Sequence, residues 1–419
     1  MNTSIKTTPQ ERKLGFRVLF LGMFAIGTGQ TLFIAVLPPY ARGLGLSEVQ
    51  VGFIFSLSAL GWMLMSPYWG KRSDYLGRKS IIILGLIIYA ITTILMGVEF
   101  RLNELGVVNL STLFILLILT RGCYGFFGSG AHSASMAYVA DRTTERERSG
   151  VMAVMGSAFA ISGIVGPGLA SAAVMLGPLV PYFLFGGITA FIALLIFIYL
   201  PEKTKPIRPA KVHEARLTPF DSRVIAFALM GLCISQTSAV VMQILSLYLQ
   251  DKFNYSNTEA SVYTGAMLIF TGIATLIVQL GIIRRISPTP ALLLRLGSIA
   301  TIISLFLIVS SGNLYLTGIA MAVYGVGGAL MGPGLFTGLS LAVGRDEQGA
   351  AAGILVSSYA AGFLINPLTG MQLFIWNPNS PYYLAIVLMF VCLGIATFDK
   401  RLNKVVEYDE NAEFTNPNG

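Results

Sequence analysis

The sequence predicts an all-α membrane protein in which twelve transmembrane helices form two six-helix bundles related by a pseudo-two-fold axis. Three observations support this fold class: the composition, a series of long apolar runs, and the distribution of basic residues. Hydrophobic residues make up 54% of the 419-residue chain and charged residues only 11%. A soluble domain carries about a quarter charged residues. This chain therefore has too little charge to cover a water-exposed surface, and the alternative solvent is lipid.

Twelve apolar runs are long enough to cross a bilayer, because a spanning helix needs roughly 20 mostly apolar residues. The first run is too long for the core of a signal peptide and lacks a small-residue cleavage site, so we expect it to remain as a helix. In chain order the runs lie near residues 15–38, 49–69, 80–98, 111–135, 149–174, 179–199, 224–249, 258–283, 290–310, 313–340, 348–372 and 381–398.

Basic residues concentrate on one side of the predicted membrane. If the N-terminus is cytoplasmic, the outside loops hold only Arg42, Arg101 and Lys252. This asymmetry follows the positive-inside rule and predicts a multi-pass protein of the inner (plasma) membrane with both termini cytoplasmic. The net charge of +8 is then explained by anchoring near anionic lipid, so we expect membrane lipids and no nucleic acid as partners.

A polar, basic stretch divides the runs into six and six. It predicts an N-terminal six-helix bundle at 1–199, a cytoplasmic linker at 200–223, a C-terminal six-helix bundle at 224–398 and a cytoplasmic tail at 399–419. The tail is about twenty residues long, so a receptor with a soluble output domain is not expected.

The two halves share sparse matches that predict parallel repeats. A shift of 200 residues aligns Tyr124-Gly125 with Tyr324-Gly325, and Gly166-Pro167 with Asn366-Pro367. A shift of 209 aligns Ser47 with Ser256, and Gln50 with Glu259, just before the second helix of each half. Such repeats are typical of transporters whose two bundles move about a central site.

The link between the second and third runs, GKRSDYLGRKS at residues 70–80, holds four basic residues and one acid. Its order resembles the signature of the major facilitator superfamily at this position, although Tyr75 and Ser80 replace two of the usual bases. The resemblance covers nearly the whole chain by topology and implies a secondary transporter with alternating access. The signature residues present here are Gly70, Asp74, Gly77, Arg78 and Lys79.

The charges of this link favour a conformational latch. Asp74 can cap a helix N-terminus, where a negative group is stabilised. Arg78 offers a planar fork to a carboxylate, and Asp141 follows the fourth run. In the family such a network latches the two bundles in the outward-facing state. The alternative is that the link only anchors the topology.

The fourth run contains TRGCYGFFGSG, which resembles the family's Arg-x-x-x-Gly motif through Arg121 and Gly125. A charge inside a membrane is costly and is by default a functional hypothesis. The repeat-related position in the second half is Met321. The charge is therefore not a requirement that the two halves share. The alternative is a structural Arg121 held by backbone carbonyls or by a polar group of another helix.

The fifth run contains GSAFAISGIVGPGLASA, which resembles the motif of antiporter-type exporters in the family. The glycine spacing is shortened, and Ala170 and Ser171 replace the closing pair. Small residues let helices approach closely and a proline kinks a helix, so close packing alone is the alternative. The matching residues are Gly156, Gly163, Gly166 and Pro167.

Polar and aromatic side chains within the apolar runs predict a mixed cavity for a small-molecule substrate. Gln236 and Gln243 are seven residues apart and share a helix face. The alternative for any one of the predicted cavity residues is a hydrogen bond to a neighbouring helix. The predicted cavity residues are Gln30, Thr31, Arg121, Tyr124, Gln236, Gln243 and Tyr324.

No Asp or Glu lies near the centre of a predicted helix, so the candidate proton sites are peripheral. They are His132, Asp74 and Asp141. His132 is eleven residues from Arg121, about three turns of an α-helix, and should lie on roughly the same face. Proton coupling is thus implied by the family resemblance, while an uncompensated Arg121 also fits an anionic substrate.

The chain most resembles the drug:proton antiporter branch of the family, which implies export of small amphiphilic molecules. The alternative is a carrier of an organic anion, such as a carboxylate metabolite or siderophore, with Arg121 as counter-ion. An enzyme is not expected, because the predicted helices hold no nucleophile triad. We also expect a monomer with no cofactor. A metal site is not expected, since Cys123, Cys233 and Cys392 lie in apolar runs without metal-ligand spacing.

Overall fold

The computed structural model describes residues 9–143, 145–201, 217–283, 288–344 and 347–399. Within these ranges the chain is almost entirely α-helical and contains no β-strand. Most of the predicted linker, and all of the predicted tail after Asp399, lie outside the described residues.

Seven α-helices cover the described part of the first half. Leu110–Asp141 is one segment made of two helices joined by a π-helical turn at Tyr124–Gly128. The helices are α1 (Pro9–Gly43), α2 (Glu48–Leu76), α3 (Arg78–Glu104), α4 (Leu110–Cys123), α5 (Ser129–Asp141), α6 (Glu145–Val174) and α7 (Val180–Tyr199).

The second half repeats this pattern. A π-helical stretch, Val278–Ile283, extends one helix, and a 3₁₀ turn at Asn366–Leu368 joins two others. The helices are α8 (Ile225–Phe253), α9 (Asn257–Ile277), α10 (Pro290–Ser310), α11 (Leu314–Ala342), α12 (Gln348–Ile365), α13 (Gly370–Trp376) and α14 (Ser380–Phe398).

These elements give the membrane-spanning segments that the sequence predicts. Eleven helical segments of the described chain are long and apolar enough to cross a bilayer, and α6 adds a shorter apolar stretch at Ile161–Val174. The prediction of an all-α membrane protein with twelve spanning segments is confirmed. Several helices exceed the predicted runs because polar residues continue them past the hydrocarbon core, as in α3, which ends at Glu104 rather than near residue 98.

The second helix of each half begins with the same cap. The Ser47 hydroxyl accepts from the Gln50 backbone N–H, and the Gln50 side chain accepts from the Ser47 backbone N–H. Ser256 and Glu259 make the same reciprocal pair at the start of α9. This capping box satisfies backbone donors that a helix start leaves unpaired. The shared cap supports the repeat that the 209-residue shift indicates.

The chain divides into two compact units. Unit 1 comprises Met1–Val212 and Gln243–Ile269, and unit 2 comprises His213–Met242 and Phe270–Gly419. The last part of α8 and most of α9 thus belong to the unit that contains the first seven helices. The division into six helices before and six after residues 200–223 stays a prediction.

Two apolar clusters lie in the described part of unit 1. Tyr40, Phe100 and Tyr182 lie in the cluster near the C-terminal end of α1, and Leu19 and Ile196 lie in the one near its N-terminal end. On α4 and the π-helical turn, the first cluster includes Leu117 and Tyr124, which lie on either side of Arg121 in the sequence.

Candidate functional site

Arg121 lies in the last turn of α4 and is only 3% exposed. Its Nη2 donates to Gln30 Oε1 over 2.8 Å. Gln30 Nε2 in turn donates to the Tyr124 hydroxyl over 2.6 Å. The structure therefore brings together three of the predicted cavity residues, from α1, α4 and the π-helical turn, in one hydrogen-bonded chain.

Aromatic rings surround the guanidinium of Arg121. Its Cζ lies 3.8 Å from the ring centre of Phe33 and 4.8 Å from that of Tyr124. A desolvated cation–π contact contributes about 2 kcal/mol. Among the described residues no carboxylate forms an ion pair with Arg121, and its Nε has no hydrogen-bond partner. The charge is thus compensated by π faces and one amide.

Further polar and aromatic side chains lie near this cluster. The ring centres of Tyr89 and Tyr124 are 4.9 Å apart, and the Phe33 ring meets Tyr182 at 6.0 Å. The buried Tyr182 hydroxyl and Thr28 hydroxyl have no hydrogen-bond partner among the described residues. Unit 1 therefore contains a buried polar-aromatic cluster with unused hydrogen-bonding capacity.

Thr31 lies at the contact between α1 and α6. Its hydroxyl donates to the carbonyl of Thr28 over 2.7 Å, within the same helix. A Cβ at Gly166 would lie 2.2 Å from Thr31 Oγ1, so α6 approaches α1 closely there. Gly163, by contrast, has no atom within 4 Å of where its Cβ would be. The surroundings of Gly156 are not among the described features. Pro167 lies inside α6.

Glu99 is a buried acid that the sequence analysis missed. Its side chain is 3% exposed in α3, and its Oε1 accepts from the Thr120 hydroxyl over 2.5 Å. The other carboxyl oxygen has no hydrogen-bond partner among the described residues. The predicted run ended at residue 98, which put Glu99 outside the helix. Its burial next to α4 therefore had no sequence signal.

Unit 2 contains a second buried polar cluster. Gln236 Nε2 donates to Asn366 Oδ1 over 3.1 Å and to Thr369 Oγ1 over 2.7 Å. The Tyr324 hydroxyl donates to Ser238 Oγ over 3.1 Å. Both groups tie α8 to neighbouring segments of unit 2. Gln243, the remaining predicted cavity residue, is buried on the part of α8 that belongs to unit 1.

The link at residues 70–80 positions Arg78 against the end of α5. Arg78 Nε donates to Asp141 Oδ2 over 3.0 Å. Its Nη1 donates to Ser73 Oγ over 2.5 Å and to the Gly70 carbonyl over 3.2 Å. Gly77 separates α2 from α3 with φ of 91°, in the region that favours glycine.

Two other charged residues of this link are Lys79 and Asp74. The Lys79 ammonium lies 5.5 Å from the ring centre of Phe197. The side chain of Asp74 lies outside the described residues, so its capping role stays a prediction.

His132 lies beyond the π-helical turn from Arg121. Its ring centre is 5.9 Å from that of Trp62. A π-helical turn contains more residues than an α-helical turn. The turn at Tyr124–Gly128 therefore breaks the α-helical register on which the expectation of a shared face rests.

Arg42 forms a network at the C-terminal end of α1 that the sequence analysis did not predict. Its Nη1 and Nη2 donate to the two carboxyl oxygens of Asp251, over 2.5 Å and 3.2 Å. Its Nε lies 3.0 Å from Glu48 Oε1. A bidentate pair between residues 209 positions apart has no local sequence signal.

Within the described ranges no three His, Cys, Asp or Glu side chains cluster closely enough to hold a metal ion.

Unit 2 has its own charged network just before α8. Arg223 donates to Glu347 over 2.7 Å and to Asp221 over 2.9 Å. The hydrogen bond from the Arg223 guanidinium holds the pKa of the Glu347 carboxyl below its usual range. The Asp221 and Glu347 carboxylates in turn raise the pKa of Arg223.

The family model of the Major Facilitator Superfamily matches residues 19–367 of this chain. The chain belongs to the Major Facilitator Superfamily. It is therefore a multi-pass membrane transporter that binds a small-molecule substrate, and the family prediction is confirmed.

Two relatives align with nearly the whole chain. The quinolone resistance protein NorA of Staphylococcus aureus (strain MRSA252) is 26% identical over 387 residues, which cover 92% of this chain and 96% of that protein. Multidrug resistance protein 2 of Bacillus subtilis (strain 168) is 27% identical over 413 residues, which cover 93% of this chain and 96% of that protein.

Solved structures share the fold at low sequence identity. A bacterial homologue of the human lysosomal transporter Spinster, inward-facing and occupied, has a TM-score of 0.74 and 14% identity, and the match covers 96% of this chain and 99% of that one. The human organic anion transporter MFSD10 (TETRAN) has a TM-score of 0.65 and 20% identity, with coverage of 93% and 100%.

Proposed function

We propose that this transporter exports small amphiphilic molecules across the cytoplasmic membrane and couples export to proton entry. The observation that carries the proposal is the match to a quinolone resistance protein and a multidrug resistance protein over 92% and 93% of the chain. The antiporter-like motif of α6 agrees with export.

The cluster around Arg121 has suitable chemistry for such substrates. Ligand sites are lined mainly by apolar and aromatic side chains, with a few polar groups that orient the ligand. Phe33, Tyr89, Tyr124 and Gln30 supply that combination on helices of unit 1. Because π faces already compensate the guanidinium, a substrate need not bring a negative charge to this cluster.

Glu99 is our preferred group for proton coupling. An ionised carboxyl without a partner is costly to bury, and one Glu99 oxygen has no hydrogen-bond partner among the described residues. A change in its surroundings can therefore drive it to bind or release a proton. Asp141, by contrast, already pairs with Arg78, and His132 and Asp74 remain weaker candidates.

The charged link and the topology complete the proposal. Both termini are cytoplasmic, and the Arg78–Asp141 pair restrains one state of the transport cycle. The pair is partly exposed, with 12% and 26% of the two side chains accessible. Such a pair contributes only about 0–1 kcal/mol, so it can open at little cost in free energy.

One observation favours the alternative, a carrier of an organic anion. Arg121 has no carboxylate partner among the described residues, and an unpaired guanidinium in a low-dielectric site attracts anions strongly. A planar anion could bind its fork in two parallel hydrogen bonds.

Two variants of Arg121 separate the two functions in proteoliposomes. If the substrate is an anion, Arg121→Met abolishes binding, and Arg121→Lys weakens it without abolishing it, because the charge remains but the fork is lost. If the substrate is an amphiphilic drug, Arg121→Met leaves quinolone binding measurable and reduces the dependence of transport on a pH gradient. Unchanged binding and unchanged coupling in Arg121→Met would contradict both functions for this residue.

A further inference from the structure

A groove lies between the N-terminal end of α1 and the neighbouring part of α6. Its volume is about 410 Å³, which is within the range of about 300–1,000 Å³ typical of ligand pockets. Its walls are mostly apolar and all belong to unit 1. The lining residues are Lys13, Phe16, Arg17, Phe20, Leu21, Val154 and Met155.

The groove has one basic end and one apolar end. Lys13 and Arg17 are exposed and lie one helical turn apart, whereas Leu21 is a further turn towards the middle of α1. Eight residues of α-helix span about 12 Å. The polarity of the groove therefore changes over a distance shorter than the roughly 15 Å thickness of one hydrocarbon leaflet.

The two cations have no partner within the described part of the protein. Neither Lys13 nor Arg17 makes a hydrogen bond or an ion pair with another described residue. Like charges at positions i and i+4 of a helix repel and destabilise it. An anion at this end of the groove would relieve that repulsion.

The length of α1 places these cations at the membrane surface. Its apolar segment, Gln10–Gly43, has 34 residues, about 51 Å at 1.5 Å per residue. The hydrocarbon core is only about 30 Å thick. We therefore expect the first turns of α1 to reach the headgroup region, and Leu21, which is exposed, to lie closer to the hydrocarbon core.

We propose that this groove binds an anionic phospholipid of the leaflet next to the N-terminus, with its phosphate between Lys13 and Arg17 and an acyl chain along Leu21 and Val154. Charge complementarity favours this occupant, because anionic lipid is the negatively charged amphiphile present at the membrane surface. Basic pockets between transmembrane helices are known to take such headgroups. The proposed function enters only through the membrane orientation, which makes this leaflet the cytoplasmic one.

The test is a lipid titration of the purified full-length protein by native mass spectrometry. The probes are phosphatidylglycerol and phosphatidylcholine with identical acyl chains. Each basic residue near anionic lipid is worth about fivefold in affinity, so the Lys13→Gln/Arg17→Gln variant should bind phosphatidylglycerol about 25-fold more weakly. Its binding of phosphatidylcholine should not change. The matched control is Lys71→Gln, at an exposed lysine near the end of α2, and it should bind both lipids like the wild type.

A second variant tests the apolar end independently. Val154 is 54% exposed, so Val154→Trp fills the groove without disturbing the core. It should weaken the binding of both lipids.

Three results would overturn the proposal. The first is equal phosphatidylglycerol binding by the wild type and the Lys13→Gln/Arg17→Gln variant. The second is an equal loss in Lys71→Gln. The third is displacement of phosphatidylglycerol by a quinolone whose own binding requires Lys13 and Arg17. The groove would then be a substrate site. The titration measures lipid binding without transport, so a failure of the proposed drug export would leave its result unaffected.

Discussion

Arg121 and Glu99 are buried ionisable side chains on adjacent helices of unit 1, and each is compensated in a different way. The Arg121 guanidinium lies between the rings of Phe33 and Tyr124. Glu99 accepts a hydrogen bond from Thr120 at one oxygen only. Burying a charge without full compensation is costly. Such residues in a membrane protein are therefore expected to serve function.

Glu99→Gln tests proton coupling at the residue scale. The amide keeps an oxygen that can accept from Thr120, but it cannot bind and release a proton. We expect substrate exchange without a gradient to remain, and transport driven by a pH gradient to fall at least tenfold. Counterflow and gradient-driven uptake in proteoliposomes measure the two activities separately.

Glu104→Gln is the matched control, because Glu104 is on the same helix but is partly exposed and pairs with Arg101. It should keep gradient-driven transport. Full gradient-driven transport by Glu99→Gln would exclude Glu99 as the coupling group.

The sequence could predict Arg121 but not its neighbours. Arg121 is a charge in the middle of an apolar run, so its position alone marks it. Glu99 follows directly after a predicted apolar run, where a polar residue normally marks the end of a membrane-spanning segment. Its burial depends on the contact with α4, which the sequence does not show. The partners Phe33 and Gln30 are distant in sequence from Arg121, so only the tertiary structure identifies them.

At the scale of elements, glycines at repeat-related positions let helices pack closely in both halves. A Cβ at Gly125 would lie 2.5 Å from the carbonyl oxygen of Ser58 in α2, and a Cβ at Gly325 would lie 2.2 Å from that of Thr271 in α9. Small residues at helix contacts allow such approach. The 200-residue shift between Gly125 and Gly325 therefore reflects a shared packing requirement.

Gly325→Ala should destabilise the protein by about 1–3 kcal/mol, the usual cost of overpacking. The clash is with backbone, which cannot move aside as a flexible side chain would. Thermal unfolding of the purified protein, followed by intrinsic fluorescence, measures the effect.

The control is Gly328→Ala on the same helix, where no atom lies within 4 Å of the added Cβ. Its midpoint should match or slightly exceed that of the wild type. Equal midpoints for wild type and Gly325→Ala would contradict the close approach of α11 to α9.

The Arg78–Asp141 pair connects the start of α3 with the end of α5. Because the pair is partly exposed, it accounts for less than about 1 kcal/mol of the stability that Arg78→Ala removes. We expect the variant to insert normally and to transport several-fold more slowly, since it shifts the balance between transport states.

Arg78→Ala, Asp141→Ala and the double variant form a cycle that isolates the pair. If the pair acts as a unit, the double variant should be no slower than the slower single variant. Wild-type transport rates in both single variants would contradict the latch and leave the charged link only a role as a topological anchor.

Sequence patterns predict the existence of the helices better than their ends and irregularities. Hydropathy identifies the spanning segments because lipid requires about 20 apolar residues in each. It stops where polar residues begin, although α3 continues from residue 98 to Glu104. The π-helical turns at Tyr124–Gly128 and Val278–Ile283 have no hydropathy signature, since they depend on contacts with neighbouring helices.

At the scale of the whole molecule, the distribution of basic residues predicts the orientation in the membrane. Two cysteine substitutions test it, after Cys123, Cys233 and Cys392 are replaced by serine. Val107→Cys, in an exposed loop after α3, should react with a membrane-impermeant maleimide in intact cells. Thr204→Cys, in the predicted linker, should react only after permeabilisation. The opposite labelling pattern would reverse the proposed topology.

The central claim is that this member of the family moves amphiphilic molecules at the expense of a proton gradient. The most direct measurement is quinolone uptake by proteoliposomes whose lumen is acidic and whose outside is neutral. We expect accumulation above the outside concentration, which collapses when nigericin dissipates the pH gradient and is lost in Glu99→Gln. Uptake equal to that of protein-free vesicles, or accumulation that nigericin does not change, would contradict it.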